Sequence, residues 1–324
     1  MFKYITKRLA SLIPVVIIIS ILLFSLVKIM PGDPVRNMVD PTIKDPAEQE
    51  RQYEEIKKNL GYDKSLPEQY VRWVKNTATG NLGYSTKYKA PVTEVIKTPM
   101  KNTVLLNVIS LVLSFIISII VGIQSAVKRG KFFDKFWQVI SLIGMAMPTL
   151  LISILLIYAF SIKLEVLPIG GMPAMVDDGS MAYYAEWARY IILPVATLTI
   201  GSFAGTIRYV RNAMIEVLNS DYIRTARAKG LSSKVIIYSH AFRNALIPVV
   251  TILAGSLAGL FGGASITESI FSWNGIGQVL IQSVNQRDYN MVLALNMFYA
   301  ILALVANIIM DVGYAFVDPR VKLD

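Results

Sequence analysis

Long apolar runs alternate with polar segments along this chain of 324 residues. A helix needs about 20 mostly apolar residues to cross the hydrocarbon of a bilayer. Six runs have this character, and they lie at 9–30, 104–127, 136–160, 190–207, 245–266 and 291–316. The fourth run is the shortest and contains Pro194, and its helix can continue to about Met214. The pattern predicts an all-α membrane protein with six transmembrane helices and both termini on one side.

The first apolar run could be mistaken for a signal peptide because Lys3, Lys7 and Arg8 precede it. A signal peptide has an apolar core of about 7 to 15 residues, followed by small residues at a cleavage site. The run from Leu9 to Met30 is longer, and no such cleavage pattern follows it. We therefore interpret residues 1–30 as an N-terminal tail and an uncleaved first transmembrane helix.

Residues 31–103 form the longest polar segment between two predicted spans. Within it, residues 47–61 and 67–80 each have a helical pattern that ends at a glycine. Glycine is favoured just beyond a helix end, and Pro67 is tolerated in a first turn. We predict a folded external loop or cap rather than a separate domain. Residues 104–324 are assigned to the membrane core.

Basic residues are distributed unevenly among the connections. Lys and Arg number sixteen in the N-terminal tail, the 128–135 loop, the 208–243 loop and the C-terminal tail, but three in the loops 161–189 and 267–290. Cytoplasmic connections are enriched in Lys and Arg, so both termini are predicted to be cytoplasmic. The segment 31–103 carries twelve basic and ten acidic residues, and a loop of that length crosses the membrane largely regardless of charge.

Composition supports the membrane class and limits the chemistry. Hydrophobic residues make up 54% of the chain and charged residues 17%, whereas soluble domains have about 25% charged residues. The net charge of +10 could indicate nucleic-acid binding, but the placement of the basic residues favours topology, so no nucleic-acid partner is predicted. There is no cysteine, and His240 is the one histidine, so no metal site is expected.

Catalytic motifs are absent from the sequence. There is no G-x-x-x-x-G-K-[ST] phosphate loop, no H-E-x-x-H and no G-x-S-x-G. The chain is predicted to be non-catalytic and to bind no cofactor itself. Lys28 and Asp311 are the ionisable residues within the six runs, and their positions near the ends favour interfacial anchoring. A proton- or sodium-coupled transporter would need acids near the midplane.

Glycines recur at every fourth position in two predicted spans. They are Gly255, Gly259 and Gly263 in the fifth run, and Gly201 and Gly205 in the fourth. This spacing lets another helix approach to backbone contact. Each glycine face is predicted to pack against a helix, either of this chain or of a partner chain.

A basic segment, at about 208–244, lies between the fourth and fifth runs. Its central stretch, residues 221–240, reads DYIRTARAKGLSSKVIIYSH and has four basic residues against one acid. Ser220 or Asp221 can cap a short helix, and Gly230 can end it. Either of the next two serines can cap a second helix that leads into the fifth run, where a stripe of Ile237, Ala241 and Ala245 is predicted.

The first of these short helices is predicted to have two distinct faces. Arg224 and Arg227 share one face, and Ile223 and Ala226 share another, because residues three apart lie together on a helix. A loop that only sets the membrane topology requires basic residues, but it does not require a helix with two distinct faces. A short helix rigidly continuous with a span can transmit a push from a cytoplasmic partner.

These residues resemble a known family. The stretch DYIRTARAKGLSSKVIIYSHAFRNALIPVV is similar to the cytoplasmic coupling loop of ABC-importer permeases, specifically the B-type permease of oligopeptide, dipeptide and nickel systems. Further similar stretches are KRLASLIPVVIIISILLFSLVKIMPGDP, LPEQYVRWVKNTATGNLGYS, FSWNGIGQVL, NQRDY and DPRVKL, so the resemblance covers essentially the whole chain. Arg224, Thr225 and Ala226 replace the general E-A-A pattern, and Pro248 lies 18 residues beyond Gly230. Both features resemble the peptide and nickel branch.

The resemblance implies a multiprotein importer in the cytoplasmic membrane. The implied partners are a homologous C-type permease, two cytoplasmic ABC ATPase subunits that bind ATP and Mg, and an extracytoplasmic substrate-binding protein. The implied ATPase-coupling residues are Asp221, Tyr222, Arg224, Thr225, Ala226, Arg227, Ala228, Lys229, Gly230 and Leu231.

Several alternatives stay open on the sequence alone. Peptide is favoured over nickel as substrate, since a metal pathway would be expected to show His or acidic clusters. No residue is assigned to substrate binding. A secondary transporter or channel, and a membrane sensor whose basic loop binds anionic lipid, are the competing functions.

Overall fold

Most of the described chain is helical. The computed structural model describes residues 2–33, 35–174, 178–257, 260 and 264–317. In chain order the helices are α1 (Phe2–Ile29), α2 (Pro46–Leu60), α3 (Leu66–Ala78), α4 (Val92–Val95), α5 (Lys97–Val127), α6 (Phe132–Ala146), α7 (Thr149–Leu156), α8 (Met181–Leu218), α9 (Asp221–Ala228), α10 (Ser233–Val235), α11 (Phe242–Leu257), α12 (Ser265–Ile270), α13 (Ile276–Asn285) and α14 (Tyr289–Val317). The other elements are a 3₁₀ turn (Arg36–Met38), two π-helical segments (Ile157–Lys163 and Ile236–Ala241) and an antiparallel hairpin of β1 (Tyr84–Ser85) and β2 (Ala90–Pro91).

Four stretches of the described residues are long and apolar enough to cross a bilayer. They are Ala10–Ile29, Val92–Val127, Met181–Leu218 and Tyr289–Ile308. Helices α6 and α7, with the first π segment, form a fifth candidate that is bent by 108°. The bend lies at Met147, whose backbone is extended because Pro148 follows it. Six spans stay a prediction, since α11 has only 16 described residues.

Helix α8 extends beyond the apolar run 190–207 at both ends. The Ser180 hydroxyl accepts the backbone N–H of Tyr183 at 3.1 Å and so satisfies a free donor of the first turn. The helix then continues through Pro194 to Leu218, past the expected limit at Met214. An apolar run marks only the part of a helix that can lie in lipid, so it underestimates a helix whose ends are polar.

The two longest described helices, α5 and α8, run side by side in the same direction. Near their starts, Leu106 of α5 belongs to one buried cluster with Ile191 and Val195 of α8. Farther along, the Ser118 hydroxyl donates to the carbonyl of Phe203 at 3.3 Å. Both helices therefore lead from one end of the bundle to the other, where the basic connections follow them.

Residues 31–96, here named the cap segment, fold between α1 and α5. Helices α2 and α3 confirm the two helices predicted there, and α2 ends at Gly61, whose φ of 75° is left-handed. Tyr70 and Trp73 of α3 pack against Phe24 of α1. The cap segment is thus fastened to the end of the first helix.

The hairpin fastens the cap segment to the last helix as well. The Ser85 hydroxyl donates to the buried carboxylate of Asp288, which directly precedes α14. The side-chain amide of Asn290 donates to the carbonyl of Tyr84 at 2.9 Å. Helix α5 then begins at Lys97, inside the segment 31–103 that the sequence assigned to the cap.

Candidate functional site

Helix α9 lies in the connection between α8 and α11, residues 219–241, here named the loop segment. Its end is a glycine corner. Gly230 has a φ of 75°, a left-handed conformation that costs an L-residue about 1–2 kcal/mol. The N–H of Gly230 donates to the carbonyl of Arg227 at 3.0 Å, and the N–H of Leu231 donates to that of Ala226 at 3.3 Å. This pair of bonds is a Schellman motif, which fixes the direction in which the chain leaves the helix.

The start of α9 is held by its own first turn. Ser220 occupies the N-cap position, as predicted, but its hydroxyl donates back to the carbonyl of Val217 at 2.6 Å. Asp221 forms an exposed ion pair with Arg224 at 3.2 Å. An acid in the first turn also suits the positive end of the helix dipole. Local hydrogen bonds and one exposed ion pair therefore mark the two ends of α9.

One face of α9 is buried, as its spacing predicts. Ile223 is fully buried and Ala226 nearly so. They belong to a cluster with Val210 and Met214 of α8 and with residues of α5, the second π segment and α11. Full burial of an isoleucine side chain contributes about 1.5–3 kcal/mol. Helix α9 therefore shares one buried cluster with residues of α5, α8 and α11, and it packs mainly on the second π segment.

The opposite face of α9 is exposed and mixes cations with apolar side chains. Tyr222 is 47% and Leu231 40% exposed, beside Arg224 and Arg227. Tyrosine and arginine are enriched where proteins bind one another. Nine of the ten predicted coupling residues are exposed, and we name these nine the contact face: Asp221, Tyr222, Arg224, Thr225, Arg227, Ala228, Lys229, Gly230 and Leu231. Ala226 faces inward and supports this face from behind.

The second arm of the loop segment begins at Ser232, which is the N-cap of α10. Ala241 and Ala245 are buried, and Ile237 packs against the same cluster, so the predicted stripe is confirmed. The second π segment lies between α10 and α11 and has no counterpart in the sequence prediction. Such segments are rare and occur frequently at functional sites.

A buried ion pair lies beside the loop segment. Arg211 of α8 holds Asp134 of α6 with two parallel bonds, Nε to Oδ1 at 2.6 Å and Nη2 to Oδ2 at 2.8 Å. The N–H of Gly130 and the side chain of Gln138 donate to the same carboxylate. Asp134 is 1% exposed. The pair connects the 128–135 loop to the helix that leads into α9.

Sequence reasoning missed this pair. Asp134 lies two residues before the predicted run 136–160, so it was not counted among residues of the spans. Helix α6 begins at Phe132, which places Asp134 in its first turn. The available signal was a single acid among four basic residues, since such an acid is a natural partner for a buried arginine.

Two family models together match almost the whole chain. Residues 96–323 match the model described as binding-protein-dependent transport system inner membrane component, and residues 1–107 match the N-terminal model of the same transport systems. The chain belongs to this permease family.

Full-length relatives agree with the family models. A putative peptide permease of Brucella suis biovar 1 is 35% identical over 100% of both chains. The oligopeptide transport system permease AppB of Bacillus subtilis is 36% identical over 99% of this chain and 100% of its own. A solved amino acid ABC transporter has a TM-score of 0.53 at 15% identity, covering 69% of this chain and 94% of its own, which shows the shared fold. The resemblance to ABC-importer permeases is confirmed.

The permease has a second buried carboxylate at the cap end of the bundle. Glu268 of α12 is fully buried and accepts the Thr103 hydroxyl at 2.7 Å and the N–H of Gln278 at 3.1 Å. Burial raises the pKa of Glu268, although these hydrogen bonds oppose that effect. Thr103 in turn accepts the N–H of Ile276 at 2.8 Å. The carboxylate thus joins α5, α12 and α13.

Sequence reasoning missed Glu268 and Asp288 because their partners are distant in sequence. Thr103 lies 165 residues before Glu268, and Ser85 lies 203 residues before Asp288. Periodicity and spacing report only neighbours along one helix. Both acids also lie outside the predicted spans, where an acid normally faces water.

The predicted glycine faces have different surroundings in the permease. Among the described residues, apart from the neighbouring backbone of α8 itself, no atom lies within 4 Å of a Cβ placed on Gly201 or Gly205, so the predicted close packing of this face is not seen within the described part of the chain. Close approach occurs instead at Gly122, where a Cβ would lie 2.7 Å from Val210. Gly255 lies in α11, half-buried, whereas Gly259 and Gly263 fall outside the described residues.

The two ionisable residues within the predicted spans can be only partly placed. Lys28 is half-buried beneath the cap segment instead of extending to water, and its ammonium donates to Gln69 at 2.5 Å. Asp311 lies in α14, but its side chain is outside the described part of the structure. Among described residues, no group of three or more His, Cys, Asp or Glu is arranged to hold a metal ion.

Proposed function

We propose that this permease is the B-type membrane subunit of an ABC importer that moves short peptides across the cytoplasmic membrane. The loop segment carries the proposal: α9 has an exposed basic and aromatic face, and its buried face belongs to an apolar cluster with residues of α5, α8 and α11. Since the sequence contains no phosphate-binding loop, ATP hydrolysis is assigned to other chains. The names of the full-length relatives support peptide as the substrate.

The proposal includes an orientation and a set of partners. The basic connections and both termini lie in the cytoplasm, and the cap segment lies on the opposite side of the membrane. A substrate-binding protein on that side transfers its bound substrate to the permease. Two ATPase subunits bind ATP and Mg and drive the cycle, with one of them docked on the contact face. A homologous C-type permease completes the pathway, and the open face at Gly201 and Gly205 offers a surface for it.

The structure suggests how movement passes into the membrane. A displacement of the contact face moves Ile223, which is embedded against Val210 and Met214 of α8. The Asp134–Arg211 pair carries the same displacement to α6. Shifting a two-state equilibrium from 1:99 to 99:1 requires about 5.5 kcal/mol of differential binding. Nucleotide binding by the partner subunits has to supply that difference.

Reconstitution tests this function. The permease is purified with its C-type partner and two ATPase subunits, placed in proteoliposomes, and supplied with the binding protein and a radiolabelled peptide. We expect uptake that requires ATP and all four membrane-associated chains. Uptake by the isolated permease without ATP would establish a secondary transporter instead. ATP-driven uptake of a nickel chelate but of no peptide would contradict the substrate assignment.

A further inference from the structure

A cavity of about 640 Å³ lies between the cap segment and the ends of α1 and α14. It is far along the bundle from the loop segment, and the coupling role does not use it. Its walls are largely apolar and include Val27 of α1, Trp73 of α3 and Leu293 of α14. The volume falls in the range of about 300–1,000 Å³ that small-molecule sites have. An apolar cavity with a few polar groups is the usual form of such a site.

The polar groups of the cavity carry an excess of positive charge. Lys28, Lys57 and Arg72 line it, with Asp33 as the one acid among the lining residues. Lys57 is paired with Glu54, outside the lining. Within the described residues, Lys28 and Arg72 have no carboxylate partner: Lys28 donates to Gln69, and Arg72 donates to the carbonyl of Asn59 at 3.1 Å.

Lys28 is the more constrained of these two cations. Its ammonium lies 4.1 Å from the ring centre of Tyr62 and 5.3 Å from that of Phe24. An ammonium has three donors, and Gln69 accepts one of them. The two aromatic rings interact with the positive charge through their faces, but they are not hydrogen-bond acceptors for the other two N–H groups of the ammonium. Lys28 is therefore positioned to donate to an anion that enters the cavity.

Asp33 does not compete for that role. Its carboxylate accepts the Tyr53 hydroxyl and the N–H of Val35, both at 2.8 Å, and the N–H of Arg36 at 3.3 Å. Burial alone would raise the pKa of Asp33, but these bonds and the Arg36 charge outweigh it and hold the pKa below its ordinary value. Because its oxygens are occupied, Asp33 offers little to a ligand amine, and the cavity favours anions over cations.

The remaining polar groups suit a peptide backbone. Asn59 and Asn76 are among the lining residues, and an asparagine side chain has both donors and an acceptor. A lipid tail would need only the apolar walls. We propose that the cavity binds a short apolar peptide, with its C-terminal carboxylate at Lys28 and its backbone along the asparagine amides. The choice of peptide as ligand rests on the proposed function.

Equilibrium binding of trileucine tests this site in the reconstituted complex without binding protein and without ATP. The free acid is compared with its C-terminal amide, which lacks the charge. We expect the acid to bind about tenfold more tightly, since a hydrogen bond between charged groups is lost in the amide. In Lys28→Met the two ligands should bind equally. Lys75→Met, on the exposed part of α3 and away from the lining, should keep the preference.

A steric variant controls for folding. Asn76→Trp adds bulk at an exposed position of the lining and removes no charge, so it should weaken both ligands together. Equal binding of acid and amide by the unaltered complex, or a preference that survives Lys28→Met, would overturn the proposal. So would a retained phospholipid that is lost in Lys28→Met while no peptide binds. ATP-driven uptake is measured in parallel, so that the cavity site and the transport function are tested separately. Uptake without tighter binding of the free acid refutes only the cavity site. Tighter binding of the free acid without uptake refutes only the transport function.

Discussion

Two glycine corners with the same hydrogen-bond pattern lie at opposite ends of the bundle. Gly230 ends α9 and Gly80 ends α3, with φ values of 75° and 83°. In each, the N–H after the glycine donates to the carbonyl five residues earlier: Leu231 to Ala226 at 3.3 Å and Asn81 to Asn76 at 2.9 Å. The local motif is identical, so any difference in function between the two corners must come from what each helix packs against.

The surroundings of the two helices differ in kind. The apolar face of helix α9 belongs to one buried cluster with residues of α5, α8 and α11. Helix α3 packs on α1 through Tyr70 and Trp73 and borders a cavity. The cap end is joined to the bundle by polar bonds between residues distant in sequence. The loop end is thus joined to the bundle by an apolar cluster, and the cap end by specific polar contacts.

The largest effect is expected at the ion pair of the loop end. Asp134→Ala leaves the largely buried Arg211 charge without its carboxylate, which should lower the free energy of unfolding by about 3 kcal/mol, the low end for a buried pair, because Arg211 is 14% exposed and still donates to the Asn212 side chain. Denaturant titration in mixed micelles measures this. Arg224→Ala, which breaks the exposed pair with Asp221, is the matched control and should leave stability unchanged. Equal effects of the two substitutions would contradict the role assigned to burial.

A smaller effect is expected at the carboxylate of the cap end. Glu268→Ala leaves the buried Thr103 hydroxyl without an acceptor, at a cost of about 1–3 kcal/mol, and also removes the acceptor of the part-buried N–H of Gln278. Hydrogen exchange should show faster exchange in α12 and α13 and unchanged exchange in α9. Glu268→Gln keeps one acceptor oxygen and should therefore lower the free energy of unfolding by less than Glu268→Ala. If amide exchange became faster by the same factor along the whole chain, Glu268 would stabilise the whole fold and not α12 and α13 in particular.

The smallest effect is expected at the two corners themselves. Gly230→Ala and Gly80→Ala should each cost about 1–2 kcal/mol, because both place an L-residue in the left-handed region and neither meets a steric obstacle. Gly201→Ala, inside α8, is the control and should be neutral or slightly stabilising. Unequal losses at the two corners would mean that tertiary contacts, not the local motif, determine their stability.

The sequence predicts local features of this permease well and distant contacts poorly. Gly230, Ser220 and the two faces of α9 follow from signals within a few residues, as do the helices of the cap segment. Pro148 is a local signal of a possible kink within the run 136–160, but only the structure gives the 108° bend at Met147.

Other features needed the fold. The hydrogen bond between Thr103 and Glu268 forms only when α5 and α12 are adjacent in the fold, and no pattern along the chain identifies that pair. Gly122 contacts Val210 for the same reason, although Gly201 and Gly205 have the more conspicuous spacing. The ten coupling residues were chosen as one stretch, and only the packed structure separates Ala226 from the other nine.

The most direct test compares Gly230→Pro with Gly80→Pro in the reconstituted complex. Proline cannot adopt a positive φ and cannot donate an N–H, so each substitution destroys its own corner. Peptide uptake and ATP hydrolysis are measured in the same proteoliposomes, after equal membrane insertion has been verified. We expect Gly230→Pro to abolish uptake while ATP hydrolysis persists, and Gly80→Pro to keep its uptake per ATP hydrolysed. Unchanged uptake in Gly230→Pro would contradict the claim that the loop segment couples the ATPase to the membrane helices.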